Sequence, residues 1–161
     1  MNNSCNWGFL PNPDGHAMCN YLFEGIEIDV MPAEDSPIGV ANRWYKPGFA
    51  SIKKVIVHHQ EINVLSLPYF IATKLEAFND RGGDYRYSHD FEDVIYVIDN
   101  STTIIEEITV ADKSVKNYIQ DELQQVLKNP NMAEIIQCQL HPNTVTGRYP
   151  IILEKIKQIV A

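Results

Sequence analysis

The sequence predicts an α+β fold in which a small, mostly antiparallel sheet precedes a C-terminal helical bundle. Two apolar-rich runs, Met18 to Phe23 and Ile26 to Met31, flank a Glu24-Gly25 turn, which is the pattern of a β-hairpin. From Pro68 onward the apolar side chains recur at helical spacing instead of alternating. Strands gathered in one half of a chain and helices in the other are the mark of an α+β arrangement.

Taken in order, residues 2 to 15 have little periodicity, and Pro11, Pro13 and Asp14-Gly15 mark turns, so an entry loop is expected. In the second hairpin strand Ile26, Ile28 and Val30 face one way, and Glu27, Asp29 and Met31 the other. Two carboxylates therefore share a sheet face. They read either as ligands for a hard cation such as Mg²⁺, which takes carboxylate oxygens and keeps several waters, or as an ordinary solvated face. Pro32 ends the strand. Residues 33 to 50 are rich in turn formers and carry Arg43-Trp44-Tyr45, so a loop with one helical turn is expected. Residues 51 to 57 suit strand or helix, while Ile62 to Leu67 alternates as a strand does.

Pro68 is suited to the first turn of a helix, whose apolar stripe is Ile71, Leu75 and Phe78, widened by Phe70 and Ala77. Lys74 and Arg81 lie seven residues apart and so point the same way. Gly82-Gly83 breaks the helix, and Ser88 caps the next one, whose apolar face is Phe91, Val94, Ile95 and Ile98. Asp90 and Asp93 fall at the start of that second helix, where carboxylates suit the positive end of its dipole. Lys74 reads as a phosphate-binding ammonium or as the partner of Asp90 and Asp93. Arg81 reads as a phosphate clamp or as a brace for the Gly-Gly turn. Beyond Asn100 the chain is expected to be helical throughout. Thr103 with Glu106 and Asn131 with Glu134 have capping-box spacing or near it, and Val115, Ile119, Leu123, Val126 and Leu127 form a stripe. Asn129-Pro130 ends that helix, and a last one starts near Pro150, with Ile151, Ile152, Ile156 and Ile159 inward and Lys155 and Lys157 outward.

At 161 residues and 45% hydrophobic content the chain supports one domain, with a β-rich half at 1–67 packed on a helical half at 68–161 as one globular unit. No apolar run reaches the ~18 residues of a membrane span, and the start MNNSCNW lacks the order of a signal peptide, so a cytoplasmic protein is expected. Cys5, Cys19 and Cys138 are widely spaced and odd in number, which argues against a disulfide framework or zinc knuckle. Cys138 is expected at a buried helix position. A net charge of −8 disfavours an RNA acceptor except at a local basic patch, the best being Arg43, Lys46, Lys53 and Lys54. The adjacent His89-Asp90 also admits a metal-dependent phosphohydrolase, with His58 and His59 as the available upstream ligands. A Gly-rich phosphate loop and a Gly-x-Ser-x-Gly elbow are both missing from the sequence.

Together IEIDVMP at 26 to 32, NRWY at 42 to 45, PYFIATKLEAFNDRGGDYRYSHDFEDVIYVID at 68 to 99 and the helical tail resemble the nucleotidyltransferase-like toxins of the abortive-infection type. The most specific part is Lys74, Ala77 and Arg81 followed by Ser88, Asp90 and Asp93. The resemblance implies a nucleotidyltransferase fold, an NTP substrate with Mg²⁺, and a partner antitoxin. It implies Asp29 as a metal-site carboxylate with Glu27 beside it, Lys74 at the nucleotide phosphates, and Arg81, Asp90 and Asp93 as the charged motif that supports the site. The family's Gly-Ser or Gly-Gly turn followed by an Asp-x-Asp strand does not occur in this sequence. In-line transfer uses a two-cation clamp, so a shortened relative with impaired transfer is expected, and the alternative is a non-catalytic interaction module that dimerises through a sheet edge.

Overall fold

The computed structural model describes residues 8–14, 19–37 and 40–161. The chain divides into two compact units, Met1–Asn42 and Arg43–Ala161, so residues 43–67 belong with the helices. Met18, the expected start of the first hairpin strand, and Cys5 lie outside the described residues.

In the first unit β1 (Leu10–Pro11), β2 (Asn20–Phe23) and β3 (Ile26–Asp29) form an antiparallel sheet in the order β1-β2-β3. The expected hairpin is present, with Asn20 opposite Asp29 and Phe23 opposite Ile26. Glu24 and Gly25 both have positive φ, 50° and 82°, the combination a two-residue primed turn demands. The Phe9 ring packs on Phe23 at 4.9 Å.

The second unit opens with a short helix, α1 (Tyr45–Phe49), and a second hairpin, β4 (Ile52–Val57) with β5 (Gln60–Leu65). The ambiguous segment at 51–57 is strand from Ile52 on, pairing from Ile52 opposite Leu65 to Val57 opposite Gln60. Among the described residues the expected sheet is thus two separate antiparallel sheets, of three and two strands. Gly48 lets α1 approach closely: a Cβ there would meet Leu65 Cδ2 at 2.9 Å and Tyr69 Cβ at 3.2 Å.

The helices follow: α2 (Leu67–Arg81), a 3₁₀ turn at Tyr85–Tyr87, α3 (His89–Asn100), α4 (Ile104–Val110), α5 (Lys113–Lys128), α6 (Met132–Gln137) and α7 (Val145–Val160). They enclose a core in which Ile71, Leu75, Phe91, Ile95, Leu123 and Ile156 are fully buried. Gly82 ends α2 at φ 66°, its N–H donating to the Phe78 carbonyl at 3.0 Å. Ser88 opens α3 as expected, accepting from the Phe91 N–H at 3.2 Å.

Several expectations for the C-terminal third are corrected. The last helix starts at Val145 and contains Pro150, whose missing N–H removes one bond near the helix start; Ile151 is half exposed. Thr103 and Asn131 make no side-chain capping bond, and Thr103 Oγ1 instead donates to Glu107 at 2.9 Å. Cys138 is exposed, because α6 ends at Gln137, after its buried Ile135 and Ile136. Lys155 does not point outward. Its ammonium donates to the carbonyls of Ile98, Asp99 and Ser101 at 2.7, 3.0 and 2.8 Å, where α3 leaves acceptors without helical donors. Lys155→Met keeps the stem and removes these donors, so urea denaturation should find a loss of about 2 kcal/mol. Lys157→Met, at an exposed position, is expected to cost under about 0.5 kcal/mol.

Candidate functional site

The charged cluster is assembled by two neighbouring helices. Phe70, Lys74, Ala77 and Arg81 fall on one line of α2, at the edge of its buried stripe, and this line meets the first turns of α3. Lys74 Nζ lies 2.6 Å from Asp93 Oδ2 and 3.5 Å from Asp90 Oδ1. Arg81 donates to the other oxygen of Asp90. Asp90 is therefore shared by both cations, and its side chain is only 7% exposed. Burial alone would lower the Lys74 pKa, but the hydrogen bond and charge of Asp93, with Asp90 behind it, hold it above its ordinary value. The Phe70 ring adds a further contact, 5.8 Å from Nζ.

The loop between the two helices is pinned in two places. Tyr85 stacks on Phe78 at 4.3 Å and meets Phe91 edge-on at 4.8 Å. Arg86 Nε contacts both oxygens of Asp84, at 2.9 and 3.0 Å, and Nη1 reaches Glu134 at 3.0 Å. The Arg86 side chain thereby holds the Asp84 carboxyl down at about 2.

In the first unit Glu27 and Asp29 do share a face, with amide partners that the sequence pattern did not reveal. Asn20 Nδ2 donates to Asp29 at 2.9 Å, and Asn12 Nδ2 to Glu27 at 3.3 Å and to Asn20 Oδ1 at 2.6 Å. Among the described residues no three His, Cys, Asp or Glu side chains gather in a group that could hold a metal ion. Two carboxylates already accepting amide hydrogen bonds do not fit a two-cation centre, and no transfer step is derived through one.

The His-Asp ligand pair does not converge either. His89 is 96% exposed with Nδ1 at 3.2 Å from Glu92, while Asp90 turns inward. In the basic patch three cations are ion-paired: Arg43 with Glu76 at 2.9 Å, Lys53 with Glu107 at 2.8 Å, and Lys54 with Glu61 at 2.7 Å. Arg43 also lies over the rings of Trp44 and Tyr118, at 5.2 and 4.7 Å. A face so neutralised offers little to a polyanion.

Sequence reasoning missed a cleft of about 330 Å³ beside the N-terminus of α2, lined by Ser51, Lys53, Ser66, Tyr69, Glu107 and Asp112 among others. Several of its polar groups pair with one another. Ser51 and Ser66 hydroxyls are 3.0 Å apart, and Tyr69 donates to Asp112 Oδ2 at 2.7 Å across 43 residues of sequence. Burial, then this bond, pushes the Tyr69 phenol up to about 12. Glu107 sits below its ordinary value of 4.5: burial opposes this, and hydrogen bonds from Lys53 and Thr103 prevail. A carboxyl depressed by folding contributes stability that is present above the ordinary value and lost as pH falls through the folded one. The stability advantage of the wild type over Glu107→Gln should therefore be full at pH 7 and shrink below about 4.5. Denaturation curves separated equally at every pH would contradict this.

Compared with known proteins, the chain matches no family model, no curated protein and no solved structure.

Proposed function

We propose that this chain is a nucleotidyltransferase-like protein of the abortive-infection toxin type that binds a nucleoside triphosphate through its helical unit and is impaired in transfer. The observation that carries the reading is the row of Lys74, Arg81, Asp90 and Asp93 on α2 and α3. The residues that bear the sequence resemblance are ion-paired as one cluster, with the Lys74 ammonium at its rim and 29% of that side chain exposed. Mg²⁺ arrives with the triphosphate, since it keeps most of its waters and is commonly held by substrate phosphates.

The test is equilibrium titration with Mg·ATP, Mg·GTP, Mg·CTP and Mg·UTP. Weak binding is expected, with a dissociation constant around 1 mM, or about −4 kcal/mol. Lys74→Ala should weaken it about tenfold, the loss of one charge-assisted hydrogen bond. Saturation unchanged by Lys74→Ala would remove the reading.

A second reading, a dimerising interaction module, is favoured by the β4–β5 hairpin. Ile52, Ile56, Val57 and Ile62 are exposed there, Ile56 by 78%, and a two-stranded sheet has a free edge on each strand. Light scattering should then give a dimer mass, and a monomer at high concentration would exclude this reading.

A further inference from the structure

We infer that Asp93 is an internal stand-in for phosphate: its carboxylate pairs with the Lys74 ammonium and gives way when a phosphate chain arrives. The inference rests on Lys74 being the phosphate-binding residue, and it concerns what that residue must release before it can bind.

The two carboxylates on Lys74 are not equivalent. Asp90 is buried and also accepts from Arg81, so its departure would break contacts with both cations at once. Asp93 makes the closer contact, 2.6 Å against 3.5 Å, yet its side chain is 47% exposed. Such accessible ion pairs are weak because water competes for both ends. Asp93 stands in the opening turns of α3, so rotation about its own χ1 carries the carboxylate to solvent without moving the backbone. With Asp90 on the buried side of Nζ, the position held by Asp93 is the one an anion reaches from water. A phosphate presents the same acceptor oxygens as a carboxylate, at higher charge, to the same N–H groups.

Exchange has a consequence for affinity. While Asp93 remains ionised, an incoming polyphosphate must displace it and then bind beside it, so two like charges share the neighbourhood of one ammonium. Removing the Asp93 charge should tighten phosphate binding even though it deletes an ion pair from the protein.

The experiment is calorimetric titration of tripolyphosphate and of Mg·ATP into wild type, Asp93→Asn, Asp93→Glu, Lys74→Ala and the double variant Asp93→Asn/Lys74→Ala. Asp93→Asn is expected to tighten both ligands by about fivefold or more. Asp93→Glu, which restores a carboxylate, should bind as the wild type does, and the double variant should lose the gain. Glu154→Gln, an equal change of net charge on α7, should alter affinity by less than about twofold. If Lys74→Ala weakens binding while Asp93→Asn leaves it unchanged or weaker, Lys74 keeps its role and the stand-in inference is overturned. A gain that survives in the double variant, or that Glu154→Gln reproduces, overturns it as a general charge effect. If no variant shows dependence on Lys74, the nucleotide reading beneath it fails.

Discussion

Asp90→Ala is expected to lower the unfolding free energy by about 3 kcal/mol, against at most about 1 kcal/mol for Asp93→Ala. Asp90 serves Lys74 and Arg81 at once from a buried position, and it lies in the first turn of α3, where its charge also meets the helix dipole. Removing it leaves Lys74 with Asp93 alone. The loss stays at the lower end of the range for broken buried pairs because Arg81, whose side chain is 71% exposed, can turn to water. Asp90→Asn, which keeps the shape and one acceptor, should cost less than Asp90→Ala. Urea denaturation with an unchanged slope would check the ranking, and equal losses at positions 90 and 93 would contradict it.

Phe91→Ala should cost more, about 3–5 kcal/mol, as a fully buried aromatic removed from a packed core. Phe91 directly follows Asp90 in the first turn of α3, and its ring meets Tyr85 at 4.8 Å and Phe78 at 6.3 Å. Truncation therefore opens a cavity and also removes the edge-on contact of Tyr85, leaving it stacked on Phe78 alone. Phe91→Leu, closer in volume, is expected to cost under about 1.5 kcal/mol. Thermal denaturation should show the two substitutions well separated. A loss below 1 kcal/mol for the alanine variant would mean the three-ring contact contributes little, against the packing described here.

The parts of the fold that were legible in the sequence are those specified within a few residues. The Gly82 stop, the Ser88 cap, the apolar face of α3 and the Glu24-Gly25 turn all follow from short-range rules, and each is found where the pattern puts it. The Lys74, Asp90 and Asp93 pairing was also legible, because helical spacing and the favoured place of carboxylates at a helix start act on neighbouring residues. What stayed hidden depends on distant partners. Lys155 looked like a solvent-facing lysine until α7 brought it to the end of α3, 54 to 57 residues away. Tyr69 finds Asp112, and Arg148 finds Asp99 at 2.7 Å, with no local signal at either end. Asn12 lies in a stretch without periodicity, so its amide contact with Glu27 could not be anticipated. Period and turn chemistry place elements; which polar ends meet is settled by packing.

We propose that the Lys74 ammonium at the junction of α2 and α3 receives nucleotide phosphates. The most direct measurement is a ¹⁵N–¹H NMR titration with Mg·ATP, followed on the backbone amides and on the lysine ammonium signals. Shifts concentrated at residues 70–81 and 88–93, saturating together and absent in Lys74→Ala, are predicted. Shifts confined to the Tyr69–Asp112 cleft, or a spectrum that does not respond, would contradict the claim.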